Sequence, residues 1–274
     1  MTKSIKKTIY FHVGTGKTGT TFLQYRVFPK FKNIYYINRT KYKKAKTIIN
    51  NTNHNKYLVS REFDQQLERE VKLFSSYFPD TIPIIVFRRH DSYIASQYRR
   101  FLKNGFRGNF QDFFDLENDL GKFKKHDLNY SHQIQLLEKY FKAKPVVLIY
   151  EKLKSNPSDF INNLSDLMDV SINLEKLNLT KKHSSYSEKQ IKAIVFVGRK
   201  INLRKRRIFE NGILHFLWKL YLGFIRYTIL YTAKLFPDSF FGNKALISKN
   251  ELEKIRNFYK DDWEKCLQYS ETKN

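Results

Sequence analysis

The sequence predicts a three-layer αβα fold with a mostly parallel central sheet and a helical carboxy-terminal extension. Three observations predict it. Short β-rich runs alternate with charged segments of helical spacing, a glycine-rich turn joins the first run to the first helix, and the strand pattern stops near Leu179. In chain order, residues 8–13 (TIYFHV) read as the first strand, and residues 20–28 (TTFLQYRVF) as the helix after its turn. Further strands are expected at residues 33–37 (NIYYI), 57–60 (YLVS), 83–87 (PIIVF) and 145–149 (PVVLI). Helices are expected over 62–77, 91–102 and 129–141. Strands and helices taking turns imply βαβ units with helices on both faces of the sheet. The tail reads as helices over 187–200, 208–236 and 248–268. No Pro/Gly/Ser linker separates the parts, so residues 1–274 are expected to form a single domain, with an α/β core over about 5–180 and the extension over about 183–274. Ligands of such sheets bind at the carboxyl ends of the strands, which directs attention to the positions after Val13, Ser60, Phe87 and Ile149.

Composition bounds the partners. With 41% hydrophobic and 28% charged residues the chain is globular, which excludes a disordered or low-complexity chain. Lys and Arg number 51 against 26 Asp and Glu, a formal charge of +25. That balance favours polyanionic partners: nucleotides, nucleic acid, acidic glycans or an anionic membrane. Lys, Asn, Ile, Tyr and Phe all have AT-rich codons, so charge is supporting evidence only. One cysteine, Cys266, permits no internal disulfide, and neither CxxC nor HExxH occurs, so metal-independent chemistry is expected. The basic start is followed by an apolar run that stops at Val13, too short for a signal peptide, and a cytoplasmic protein is expected.

The first turn reads Gly14-Thr15-Gly16-Lys17-Thr18-Gly19-Thr20-Thr21. Glycines let the backbone curl so that successive N–H groups face one anion, and the following helix start adds its partial charge. The ATP and GTP loop, Gly-x4-Gly-Lys-Ser/Thr, fails in both registers: Phe11 stands where the first glycine is needed for Gly16-Lys17, and Thr20 stands where lysine must follow Gly19. No strand ends in a metal-holding Asp, since PIIVF runs into Arg88-Arg89 and PVVLI into Tyr150-Glu151.

Lys17-Thr18-Gly19-Thr20-Thr21 resembles instead the 5′-phosphosulfate loop, Lys-x-Gly-Thr-Thr, of sulfotransferases that use 3′-phosphoadenosine 5′-phosphosulfate (PAPS). The family's second signature, an arginine at a strand end and a serine eight positions on, is matched by Arg88 and Ser96. An Arg there and a Ser two turns into the next helix can grip one phosphate, the Arg with a forked permanent charge and the Ser with a short hydroxyl. A third likeness is Tyr150-Glu151-Lys152-Leu153 followed by Pro157 and an amphipathic helix. The match runs from about residue 8 to 190 and is best with bacterial and carbohydrate-type members. It departs at residues 182–187, where many relatives carry an Asn-Arg-Ser nucleotide contact and this chain has His183 before Ser185.

The resemblance implies PAPS as donor and 3′-phosphoadenosine 5′-phosphate (PAP) as product, with no metal. Gly14, Gly16, Lys17, Thr18, Gly19, Thr20 and Thr21 would cradle the 5′-phosphate, and Arg88, Ser96 and Ser185 the rest of the nucleotide. Sulfuryl transfer, like phosphoryl transfer, has a loose in-line transition state, so catalysis is positioning plus charge stabilisation, with Lys17 neutralising the leaving phosphate. The acceptor, a hydroxyl or amine, needs a base. Glu62 resembles the acidic residue of carbohydrate-type members, and its alternative role is a first-turn glutamate facing a helix dipole. His12 is the second candidate, with a core histidine as its alternative. A glycan, glycolipid or lipid-linked sugar is the expected acceptor, with a small hydroxylated metabolite open, and no nucleic acid is expected. Two other readings stay in view: a kinase with a degenerate phosphate loop, and a non-catalytic basic module.

In the tail, Arg199, Lys200, Arg204, Lys205, Arg206 and Arg207 precede an apolar stretch over 213–236, in which His215, Lys219 and Arg226 share one helical stripe. Peripheral contact of residues 199–236 with an anionic membrane is one expectation, which would put the protein at the membrane's inner face. A helix buried against the core is the other.

Overall fold

The computed structural model describes residues 7–179, 186–204 and 209–272. Ser185, His183 and the basic residues Lys205, Arg206 and Arg207 lie outside the described residues. The chain divides into two compact units, Met1–Tyr93 with His126–Thr180 and Arg256–Asn274, and Ile94–Lys125 with Lys181–Ile255.

The first unit is built on five strands, β1 (Thr8–His12), β2 (Tyr35–Ile37), β3 (Lys56–Ser60), β4 (Ile82–Phe87) and β5 (Val146–Ile149). They form one sheet in the order β2-β3-β1-β4-β5, with every pairing parallel. The strands are almost wholly buried because both faces are covered, and successive residues serve opposite layers. Phe11, Val59, Phe87 and Ile149 pack with α2 (Ala45–Asn51), α3 (Leu67–Ser75) and α6 (Tyr130–Tyr140). Tyr10, Leu58, Val86 and Leu148 pack on the other face with the helix after β1 and with α7 (Tyr150–Ser155) and α8 (Pro157–Leu167). That first helix, α1, is α over Thr20–Phe22, widens to a π turn over Leu23–Val27 and closes as a 3-10 turn over Phe28–Lys30. The last helix, α12 (Lys260–Glu271), also belongs to this unit: Trp263, Cys266 and Leu267 join the cluster of α3 and α6. The helical tail is therefore split between the units.

The second unit holds most of α4 (His90–Lys103), the short α5 (Phe110–Phe113), α9 (Glu188–Gly198), α10 (Gly212–Thr232) and most of α11 (Lys249–Phe258). Asn109 closes a capping box with Asp112 that starts α5, and Ser187 closes one with Gln190 that starts α9. Ile194, Leu203 and Leu230 form a small core between α9 and α10.

Candidate active site

β1 lies between β3 and β4, and the chain leaves it where the connections reverse: β1 leads towards β2 on one side, and β3 crosses over to β4 on the other. An open parallel sheet leaves its ligand crevice at that switch point. The loop from Val13 to Gly19 sits at its mouth. Two residues there adopt left-handed backbone, Gly19 at φ 84° and Lys17 at φ 74°. Glycine does so freely, whereas for lysine the cost is on the order of 1–2 kcal/mol, so its neighbours must hold it there. They do: the Lys17 carbonyl accepts from Arg88 Nη1 at 3.1 Å, the Thr18 hydroxyl donates to the Thr15 carbonyl at 2.7 Å, and the Gly16 N–H donates to Asp64 Oδ1 at 3.0 Å. The result is a loop whose Gly14, Thr15, Gly16, Thr18 and Thr20 are buried, whose Gly19 is half-buried, and whose Lys17 and Thr21 are exposed.

A methyl group would crowd its neighbours at two of the loop's glycines, Gly14 and Gly19. A Cβ on Gly14 would stand 2.8 Å from His12 Nε2, and one on Gly19 would stand 2.5 Å from Leu153 Cδ2. Gly19 combines that clash with positive φ, so Gly19→Ala is expected to lower stability by about 1–3 kcal/mol, read as a fall in the urea midpoint. An unchanged midpoint would show that the loop refits around a methyl group.

The β3 edge contributes the acid. Past Ser60 the chain stays tied to β1, with the Arg61 N–H on the His12 carbonyl at 3.0 Å and the Phe63 N–H on the Gly14 carbonyl at 3.1 Å. This keeps residues 61–66 out of the helix the sequence predicts from 62, and α3 begins at Leu67. Glu62 is thus not a first-turn glutamate; it accepts a hydrogen bond from the Thr20 hydroxyl inside the loop motif. His12 is fully buried, with Nδ1 on Ser60 Oγ at 2.8 Å and Nε2 unpartnered beneath Gly14. Desolvation pushes its pKa down to about 3, so the ring is neutral.

At the end of β4, Arg88 Nε donates to Ser92 Oγ at 2.7 Å and its guanidinium lies 4.7 Å from the Tyr150 ring centre. Ser96 stands one turn beyond Ser92 on α4, half-buried. The Arg88 carbonyl accepts from the Tyr130 hydroxyl at 2.6 Å, and the Arg89 N–H donates to Glu151 Oε1 at 3.1 Å. Asp91 takes a forked pair from Arg89 and a further pair from Arg256; burial alone would raise its pKa, but these bonds hold it below the ordinary value. Behind them, His90 is stacked between Tyr130 and Tyr259 and bonds Asp262 Oδ2 at 3.0 Å, while Asp262 also accepts the N–H groups of Tyr130 and Ser131 at 2.8 and 2.9 Å.

The first unit therefore brings together Lys17, Thr18, Gly19, Thr20, Glu62 and Arg88. Sequence reasoning missed Asp64, Ser92, Tyr150 and Asp262 as partners. Ser92, four residues from Arg88, was within reach of helical spacing, and Tyr150 stands in the Tyr-Glu-x-Leu turn. Asp64 and Asp262 had no local signal, because their partners are distant in sequence.

No family model matches the chain, and no curated protein matches it. Among solved structures it is similar to a sulfotransferase from Alicyclobacillus acidocaldarius, at 11% identity over 71% of this chain and 93% of that one, with a TM-score of 0.50. The mouse sulfotransferase SULT7A1 complexed with PAP aligns over 96% of this chain and 89% of its own at 10% identity, with a TM-score of 0.45.

Proposed function

We propose that this chain, whose fold is that of the sulfotransferases, moves a sulfuryl group from PAPS to a hydroxyl or amine of an acceptor. The observation that carries the reading is the joint between the two motifs: Arg88, at the end of β4, bonds the Lys17 carbonyl in the glycine loop. One hydrogen bond links the two cations that a doubly phosphorylated donor needs, on the sheet edge where such folds bind nucleotides. The buried loop with its exposed lysine fits the phosphosulfate end, and the forked guanidinium on Tyr150 fits a second phosphate.

PAPS supplies an activated sulfuryl group joined to its 5′-phosphate. The backbone N–H groups of Lys17 to Thr21 hold that phosphate, and the Lys17 ammonium neutralises the charge that grows on it. Arg88 holds the 3′-phosphate. Glu62 takes the acceptor's proton, and we assign it this role over His12, whose buried neutral ring faces the underside of the loop. A glycan, glycolipid or lipid-linked sugar is the acceptor class we favour, on the carbohydrate-type motifs. The kinase reading is disfavoured because β4 ends in Arg88-Arg89, and Glu151, the acidic residue after β5, is engaged by the Arg89 N–H.

Thermal shift with PAP, AMP and ATP tests this. At ligand about a hundredfold above Kd, PAP is expected to raise Tm by about 5 °C or more, with AMP and ATP well behind. Equal shifts, or none with PAP, would overturn the donor assignment.

A further inference from the structure

The helix α10 is apolar around most of its circumference, and its packing divides it into two faces. Leu222, Arg226 and Leu230 are buried, with Trp218, Ile225 and Ile229 half-buried beside them, a stripe at the i, i+3, i+4, i+7 spacing. Arg226 is anchored there by donating to the Leu203 carbonyl, and Gln190 of α9 donates to the Leu230 carbonyl at 2.7 Å. The opposite face is the unusual one. Ile213, Phe216, Leu217, Leu220 and Phe224 are each more than half exposed, with Tyr227 and Tyr231 continuing the row. A helix of a soluble domain turns its apolar stripe inward and its polar face outward; this one is apolar on both. A continuous row of this size marks an interaction surface.

We infer that this outer face of α10 binds an anionic lipid surface, lying in the plane of the interface. Gly212–Leu235 is long and apolar enough to cross a bilayer. Its inner stripe, however, is committed to α9 and Leu203, which leaves only the outer half for the lipid. The charge around it selects the occupant. Among the described residues from Arg199 to Lys244, Arg199, Lys200, Arg204, Lys219, Lys234 and Lys244 are exposed, against two acidic residues, Glu210 and Asp238. Lys219 and Lys234 are exposed on α10 and on the turn after it, where their long stems let the ammonium groups reach a headgroup layer. The same excess opposes a second copy, since a two-fold contact would set these positive segments against each other.

The test uses the full chain, sedimented with vesicles of phosphatidylcholine alone and of phosphatidylcholine with phosphatidylglycerol. Binding is expected on the mixed vesicles only, weakening as salt is raised. The double variant Leu220→Glu with Phe224→Glu changes side chains outside the packed stripe, so circular dichroism should be unchanged while vesicle binding falls about tenfold or more. Lys17→Ala should bind vesicles like the wild type, which keeps this inference independent of the donor reading. No binding to mixed vesicles, or undiminished binding by the double variant, would overturn it. So would a dimer in light scattering that becomes monomeric in the double variant, since the occupant would then be a second copy.

Discussion

If PAPS is the donor, Lys17→Ala is expected to lower the rate of sulfate transfer by about 10²–10³-fold, the usual cost of removing one preorganised charge donor from a developing anion. The backbone makes this variant unusually clean. Lys17 sits at φ 74°, where alanine is no worse than lysine, and its side chain is exposed. Lys17→Gly sharpens the result, because glycine adopts the left-handed conformation freely and the relief offsets its greater chain entropy. That variant should be at least as stable as the wild type in urea while showing the same loss of transfer. A lysine kept in a conformation that glycine would fill at less cost fits the proposed role of its ammonium group. Transfer within a few-fold of wild type in both variants would remove Lys17 from the chemistry. A loss of stability matching the loss of rate would make its role structural.

The parts of this fold that were legible in the sequence are those fixed by local pattern. β1, β3, β4 and β5 fall within about a residue of the apolar runs because a sheet buried on both faces needs unbroken apolar strands. The loop was legible because glycine and lysine at fixed spacing are themselves the chemistry. What could not be read depended on contacts distant in the chain. Residues 61–66 have a helical pattern, yet bonds to the carbonyls of His12 and Gly14 draw them along β1 and place Glu62 and Asp64 beside the loop. The helix expected over 248–268 divides into α11 and α12 about Tyr259, whose ring stacks on His90 at 4.5 Å. The sidedness of α10 was also hidden, since the one polar stripe, His215, Lys219 and Arg226, reads by periodicity as the outer face, whereas Arg226 is buried. Packing selected the stripe that carries Arg226, because the Leu203 carbonyl offers that guanidinium a partner.

Asp262→Ala is expected to cost about 2–4 kcal/mol, because it leaves the buried His90 ring and the N–H groups of Tyr130 and Ser131 without their shared acceptor. The pH dependence gives a finer test. Burial alone would raise the Asp262 pKa, but the bonds from His90 and Ser131 and the backbone N–H groups outweigh it and hold the carboxyl at about 2, against an ordinary 3.8. A depressed carboxyl contributes its full stability above the unfolded value, and that contribution fades as pH falls through the folded one. Some 2 kcal/mol should therefore be lost between about pH 4 and pH 2. Asp262→Asn keeps the shape and one acceptor oxygen but no charge. Its urea midpoint should lie below the wild type at pH 7 and converge on it in acid, and parallel acid limbs would show that Asp262 is not the group responsible. Asp91 also sits below its ordinary value and titrates in both proteins, so the difference between the two curves isolates Asp262. The consequence reaches the candidate site, because Asp262 fixes the first turn of α6, and the Tyr130 hydroxyl in that turn holds the Arg88 carbonyl at 2.6 Å. If Arg88 binds the donor's 3′-phosphate, Asp262→Asn should raise the KM for PAPS at pH 7 with kcat nearly unchanged, an effect that a purely structural loss of folded protein would not produce.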